Sequence, residues 1–128
     1  MNTAIDTAKA LNAWNKRRFD YGDADCCQFA RFVVREMTGV DHMSPFNYSS
    51  EGEAQLIIDR HGSLGETVDA VLGESVDVEA LHEGSPVLLR LPHVDEVLGI
   101  WHNGKAVALT AGGFITVAAK YAQRGWNV

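Results

Sequence analysis

The sequence lacks three features that would each assign it to a class of protein. It has only two cysteines, Cys26 and Cys27, and because they are neighbours they make a poor disulfide framework. The formal net charge is −6 and no basic run carries interleaved aromatic residues, so no nucleic-acid partner is expected. The longest apolar runs, such as 86–92 (PVLLRLP), are far shorter than a membrane span. We therefore expect reduced thiols and no membrane-spanning segment.

The remaining composition fits one folded domain. The chain has 128 residues, 46% of them hydrophobic, and it shows no internal repeat or low-complexity segment. Its first residues, MNTAIDTAKALNAW, are polar with helical spacing, unlike a charged and then apolar signal peptide. We expect a single domain over 1–128, made and kept in a cytoplasm or assembled into something made there. Residues 1–18 would be a helix of that domain or an arm that clasps a partner.

The first part of the chain predicts four helices. An apolar face recurs over about 4–17, and a second helix begins near Asp25 and stops at Gly39. Two Ser-x-x-Glu capping boxes open helices over about 51–61 and 64–73. The pattern therefore indicates helices first, with a loop between the second and the third.

The last part of the chain predicts a strand meander. Four short β-rich segments follow one another at 86–91, 97–101, 106–110 and 114–118. Asn-Gly and Gly-Gly pairs between the later segments indicate tight turns, and the residues after 118 suit a short edge strand or a tail. Helices followed by a meander predict an α+β fold, in which N-terminal helices pack against a C-terminal antiparallel β-sheet.

The adjacent cysteines stand at the predicted start of the second helix, directly after Asp25. A thiol in the first turn of a helix is favoured in its thiolate form, the nucleophilic form, by the helix dipole and the unpaired N–H groups. Asp25 is a suitable N-cap residue. A shared metal ion is disfavoured, because neighbouring side chains on a helix diverge by about 100°. Buried packing and a nucleophile at Cys26 both remain open from these residues alone.

Five stretches resemble the NlpC-type papain-like cysteine peptidases, in order and spacing. Residues 21–29 (YGDADCCQF) resemble the Gly-x-x-Asp-Cys-x-x-Phe segment of that family. The other four resemble its successive strands: 83–89 (EGSPVLL), 97–101 (VLGIW), 104–110 (GKAVALT) and 113–117 (GFITV). Within this group, Asp-Cys-Cys and the final Gly-Trp-Asn-Val are most similar to a small branch found among phage tail genes.

The resemblance implies a papain-like fold with a helix-borne cysteine on a curved antiparallel sheet. In active members the cysteine thiolate attacks a peptide bond of peptidoglycan, a histidine on the sheet is the general base, and a third polar residue orients that histidine. Carried over to this sequence, Cys26 takes the nucleophile position and Asp25 precedes it. Tyr21 lies where such enzymes often have an aromatic residue, and Cys27 faces the core.

Two catalytic positions depart from the family pattern. Val97 stands where the family has its histidine, and Thr110 is the only polar side chain available at the third position. Loss of the base removes an acid–base contribution of about 10²–10⁴-fold. His42 and His93 are the candidate replacement bases because they stand in predicted loops. The other three histidines are expected in ordinary surface or packing roles: His61, His82 and His102.

The resemblance and the missing base together predict a catalytically inactive structural or assembly component of a phage tail. It would lie at the tail tip of the virion, be made in the host cytoplasm, and need no metal or cofactor. Its partners would be other tail-tip or hub proteins, which would dock on apolar edges at 114–118 or 126–128. Peptidoglycan peptides would be a second kind of partner. The alternative is an active cysteine peptidase or amidase that cleaves peptidoglycan peptides during genome delivery, with Cys26 as nucleophile. A third interpretation is a protein that binds such a peptide without cleaving it.

Overall fold

A computed structural model describes residues 3–14, 17–22, 24–92 and 94–128, and in them four helices precede an antiparallel sheet. The helices are α1 (Thr3–Trp14), α2 (Cys26–Thr38), α3 (Glu51–His61) and α4 (Leu64–Leu72). The strands are β1 (Pro86–Leu91), β2 (Val94–His102), β3 (Lys105–Thr110), β4 (Gly113–Val117) and β5 (Ala122–Gly125). The predicted α+β class is confirmed.

Side-chain caps set the starts of three helices. Asp25, Ser50 and Ser63 each accept a hydrogen bond from the backbone N–H three residues further on, so α2, α3 and α4 begin where the sequence predicted. At the other end of α2, Gly39 adopts a φ of 77° and its N–H bonds the Arg35 carbonyl. This left-handed conformation strains most other residues, which is why a glycine ends the helix there.

The strands form one sheet of order β4-β3-β2-β1-β5, with antiparallel neighbours throughout. The predicted meander accounts for β1 to β4, and its 102–105 hairpin turns at Asn103 (φ 52°) and Gly104 (φ 77°). The C-terminal segment forms an edge strand, because β5 returns to pair with β1 through Val87 and Gly125.

Both faces of the sheet are buried, which explains the nearly continuous apolar character of β1 and β3. The face towards the helices forms the larger core and contributes Leu88, Leu98, Ile100 and Leu109. The opposite face forms a second cluster of Val87, Leu89, Val97, Ala106, Ala108 and Val117. Cys26 packs against both clusters, so the start of α2 lies where the two cores meet.

The C-terminal end differs from the exposed apolar edge that the sequence suggested. Trp126 is only 1% exposed, and its indole N–H donates a 2.9 Å hydrogen bond to Asp69 of α4. Pairing of β5 with β1 carries the tryptophan back onto the helices, so the docking role expected of its side chain is wrong. In the described part of the chain, no helix is both long and apolar enough to cross a bilayer.

Candidate functional site

A buried carboxylate organises the start of α2. Asp25 is 2% exposed and accepts hydrogen bonds from the backbone N–H groups of Gly22 (3.0 Å) and Gln28 (2.8 Å). The Tyr48 hydroxyl donates to both carboxylate oxygens, at 2.9 and 2.7 Å. Burial, then the neighbouring Cys27 and Asp25 charges, raise the pKa of Tyr48, so the phenol stays protonated and keeps donating. The predicted N-cap is therefore confirmed, with three further hydrogen bonds that the sequence did not indicate.

The two thiols, which directly follow this carboxylate in the chain, lie close to each other. Their sulfur atoms are 3.9 Å apart, and both side chains are free and half-buried. We expected neighbouring cysteines on a helix to diverge, and for these sulfurs that expectation is wrong. Only the Cα–Cβ directions diverge by about 100°, and rotation about χ1 brings the longer side chains back together.

The pKa values of the two thiols are shifted in opposite directions. A hydrogen bond from the Cys27 thiol lowers the pKa of Cys26, against the effect of burial, and the Leu98 backbone N–H lowers it further. The same hydrogen bond, together with burial, raises the pKa of Cys27 well above its ordinary value. Of the two thiols, Cys26 is therefore the one whose surroundings favour loss of its proton, as a thiol at the first helical position also does.

The surroundings of Cys26 contain no base among the residues that the structure describes. No histidine there hydrogen-bonds to either sulfur. Val97, the residue at the expected base position, is 6% exposed and belongs to the second apolar cluster, against which Cys26 packs. Its hydrocarbon side chain has no proton acceptor to offer.

The structure describes only one of the two candidate replacement bases, His42. His42 lies half-buried in the turn after α2 and makes no hydrogen bond or ion pair with any described residue. His93 lies outside the described residues. At the third catalytic position, the Thr110 hydroxyl donates to the Gly113 carbonyl at 2.8 Å, which commits it to the β3–β4 turn.

Tyr21, the expected aromatic neighbour of the site, lies close to the thiols. Its ring packs edge-on against Phe19 at 5.0 Å, and the residue is 37% exposed. Desolvation, then the charges of Glu51 and Cys26, raise its pKa. The phenol therefore remains neutral beside the thiols.

Each of the other three histidines makes a hydrogen bond elsewhere in the fold. His61 Nδ1 lies 2.9 Å from the Ile57 carbonyl within the last turns of α3. His102 Nδ1 lies 2.6 Å from Glu83, which also accepts from the Asn103 backbone N–H and so fixes the hairpin. His82 stands in the connector before β1, where its backbone N–H donates to Asn127. None of these three contacts involves a cysteine.

An apolar cleft opens beside Cys27, between α2, the following loop, α3 and α4. It encloses about 50 Å³, enough for a few water molecules or a small apolar group. Its lining includes Met43, Phe46, Ile58, Leu64, Val68 and Leu98. Sequence reasoning missed both this cleft and Tyr48, because no local pattern indicates how the loop after α2, α3 and α4 pack beside Cys27.

The described residues do not assemble a conventional multidentate metal centre, since no group of three or more His, Cys, Asp or Glu side chains among them is arranged to hold an ion. Two thiols and a satisfied carboxylate are what the site offers chemically. Such a pair can act as a nucleophile, provided that a base is supplied, or as a soft two-sulfur donor set.

Comparison with known proteins gives one family. No curated protein matches the chain. A family model described as "Domain of unknown function (DUF6950)" matches residues 3–128, which include every helix and strand described above. The chain therefore belongs to the DUF6950 family.

Proposed function

We propose that the protein is a non-catalytic structural or assembly component of a phage tail tip, built on a papain-like fold of the NlpC type. The proposal is based on one observation. Cys26 stands at the start of a helix that packs on an antiparallel sheet, and it contacts the second apolar cluster, which contains Val97. On the resemblance to the NlpC-type peptidases, hydrocarbon would stand here in place of their catalytic base.

The polar groups around Cys26 support a role without catalysis. Asp25 is fully occupied by the cap and by Tyr48, so it is not free to orient or accept a proton from a histidine. Thr110 is occupied within its own turn. Without a base within hydrogen-bond reach, the thiolate has no means to protonate the leaving amine, and turnover should be lost.

The docking surface that fits this role is the outer edge of β4. β4 ends the sheet, and its outer backbone groups have no partner strand within the described sheet. Such edges accept another chain readily, and no charged side chain within Gly113–Val117 prevents it. Other tail-tip or hub proteins are the partners that the resemblance implies.

A deletion and complementation experiment tests the structural role. Virions made without the chain should lack infectious tails, and a copy carrying Cys26→Ala should restore them fully. Mass spectrometry of the purified virions should then detect the variant chain at a fixed ratio to the other tail proteins. Infectious particles of normal composition without the chain would contradict the proposal.

The second candidate function is an active cysteine peptidase or amidase acting on peptidoglycan peptides. The lowered pKa of Cys26 favours it, because a thiolate at a helix start is what a cysteine nucleophile requires. This function requires a base from outside the expected position, for which His42 and His93 are the candidates.

Incubation with purified muropeptides separates the two functions. The structural proposal expects no cleavage by the wild-type protein above that of Cys26→Ser. Cleavage that Cys26→Ser abolishes and Cys27→Ser retains would instead establish the peptidase. Loss of that cleavage in His42→Gln or His93→Gln would then identify the base. Recovery of unchanged muropeptide bound to the protein would support the peptide-binding interpretation.

A further inference from the structure

We propose that Cys26 and Cys27 together form a two-sulfur chelating site for the soft metal ion Cu(I). The inference is independent of the proposed tail function, since it rests on the geometry of the thiol pair and on the soft character of its sulfur donors. It also revises the sequence-based expectation that the protein binds no metal, because that expectation assumed diverging sulfur atoms.

The distance between the sulfurs suits a bridging ion. With a metal–sulfur bond of about 2.3 Å, the observed separation of 3.9 Å corresponds to a sulfur–metal–sulfur angle of roughly 115°. A modest rotation about either χ1 would open that angle further. A linear two-coordinate ion with the same bond length needs the sulfurs about 4.6 Å apart, so the pair reaches it by separating from the observed 3.9 Å.

The same geometry disfavours a disulfide between the two residues. Disulfides normally join residues whose Cα atoms are at least about 4.4 Å apart, whereas neighbours across a trans peptide are about 3.8 Å apart. Closing the bond would also disturb the first turn of α2, where Asp25 caps the Gln28 N–H. Chelation leaves that turn intact.

The electrostatic surroundings favour a cation at the sulfurs. The Cys27 hydrogen bond lowers the pKa of Cys26, but the charge of the nearby buried Asp25 carboxylate acts against ionisation of both cysteines and so disfavours a second thiolate. Glu51 adds negative charge near Tyr21 at the same end of α2. A bound Cu(I) offsets the charge of the second thiolate, and both cysteines are only half-buried.

The donor set selects Cu(I) among the metals that prefer sulfur. Zn²⁺ takes four ligands in structural sites, and the described residues contain no third His, Cys, Asp or Glu placed to complete such a set. Cu(I) is soft, prefers thiolate ligands, and is satisfied by fewer of them. Binding forms one Cu–S bond to each cysteine, breaks each S–H bond that is still present and releases those protons to solvent.

Anaerobic titration with Cu(I) against a colorimetric Cu(I) chelator tests the site. The wild-type chain should withdraw one equivalent of Cu(I) from the chelator. Cys26→Ser and Cys27→Ser should each lose this binding while keeping the wild-type circular dichroism spectrum. The control variant His82→Gln, which changes a potential ligand in the connector before β1, should bind as the wild type does.

Two further measurements keep the test decisive if a cysteine variant misfolds. X-ray absorption of the Cu(I)-loaded wild-type protein should show two sulfur scatterers, and bound Cu(I) should protect both cysteines from alkylation. A first shell of nitrogen or oxygen alone, or binding that survives in either folded single variant, would overturn the proposal. The muropeptide and virion experiments do not depend on either result.

Discussion

The Tyr48 hydroxyl and the Asp25 carboxylate, 23 positions apart in the sequence, are joined by hydrogen bonds of 2.9 and 2.7 Å. This contact connects the loop before α3 to the cap of α2, at the residue that precedes the two cysteines. The site is thus held by a buried polar interaction as well as by the two apolar clusters.

Replacement of Tyr48 by Phe should destabilise the protein by about 1–3 kcal/mol, because it removes a donor from a buried carboxylate. Urea denaturation of both proteins measures the change. Tyr121→Phe is the matched control, since the Tyr121 hydroxyl makes no hydrogen bond to the described residues. Equal stability of Tyr48→Phe and the wild type would show that the contact contributes nothing.

Replacement of Cys27 by Ala should shift the alkylation of Cys26 to higher pH. The hydrogen bond from Cys27 is the largest cause of the lowered Cys26 pKa, and alanine removes it. Cys27→Ser keeps a hydroxyl donor and should shift the profile less. The measurement is the rate of iodoacetamide reaction against pH, with the modified residue identified by mass spectrometry. Identical profiles for the two variants would contradict the hydrogen-bond explanation.

Replacement of Val97 by His should accelerate the alkylation of Cys26 near neutral pH. If Val97 occupies the position of the catalytic histidine in NlpC-type peptidases, an imidazole there can accept the thiol proton. The increase in alkylation rate should then appear as the pH rises past the ordinary histidine pKa of about 6.5. Near-ultraviolet circular dichroism checks that the variant folds. A folded variant with the wild-type rate would show that position 97 does not face the sulfur.

Replacement of Asp69 by Asn should remove a pH-dependent part of the stability. The Arg124 guanidinium lowers the pKa of Asp69 against the effect of burial, helped by the Trp126 indole. A folded-state pKa below the unfolded value of about 3.9 gives stability that is present above that pH and is lost as pH falls through the folded pKa. The wild type should exceed the variant by up to about 1 kcal/mol at pH 7 and by less at pH 3. Urea midpoints at the two pH values test this, and a constant difference would contradict it.

Two glycine-to-alanine changes should have opposite effects. Gly104 has a φ of 77° with open space around its Cα, so Gly104→Ala should cost about 1 kcal/mol through backbone strain alone. Gly52 is the exposed second residue of α3, so Gly52→Ala should stabilise by roughly 0.4–1 kcal/mol, because alanine reduces the conformational entropy of the unfolded chain. Thermal or urea unfolding of both variants measures the signs. A stabilising Gly104→Ala would rule out the left-handed turn.

Much of the fold could be predicted because it rests on local rules. The caps at Asp25, Ser50 and Ser63 act on N–H groups three residues away, so sequence spacing is enough to locate them. The Asn103-Gly104 turn is equally local. The first helix is described over Thr3–Trp14, and residues 15 and 16 of its predicted range lie outside the described residues.

The sequence by itself determined the α+β class, the helix starts, the meander and the place of Cys26 at the first turn of α2, because short-range hydrogen bonding and side-chain periodicity encode them. Only the tertiary structure decided that the Tyr48 hydroxyl binds the Asp25 carboxylate, that Trp126 is buried beside Asp69, and that the two sulfurs lie 3.9 Å apart. Each of these depends on loop paths or on a side-chain rotamer. Such features are set by packing between distant segments, which no local pattern records.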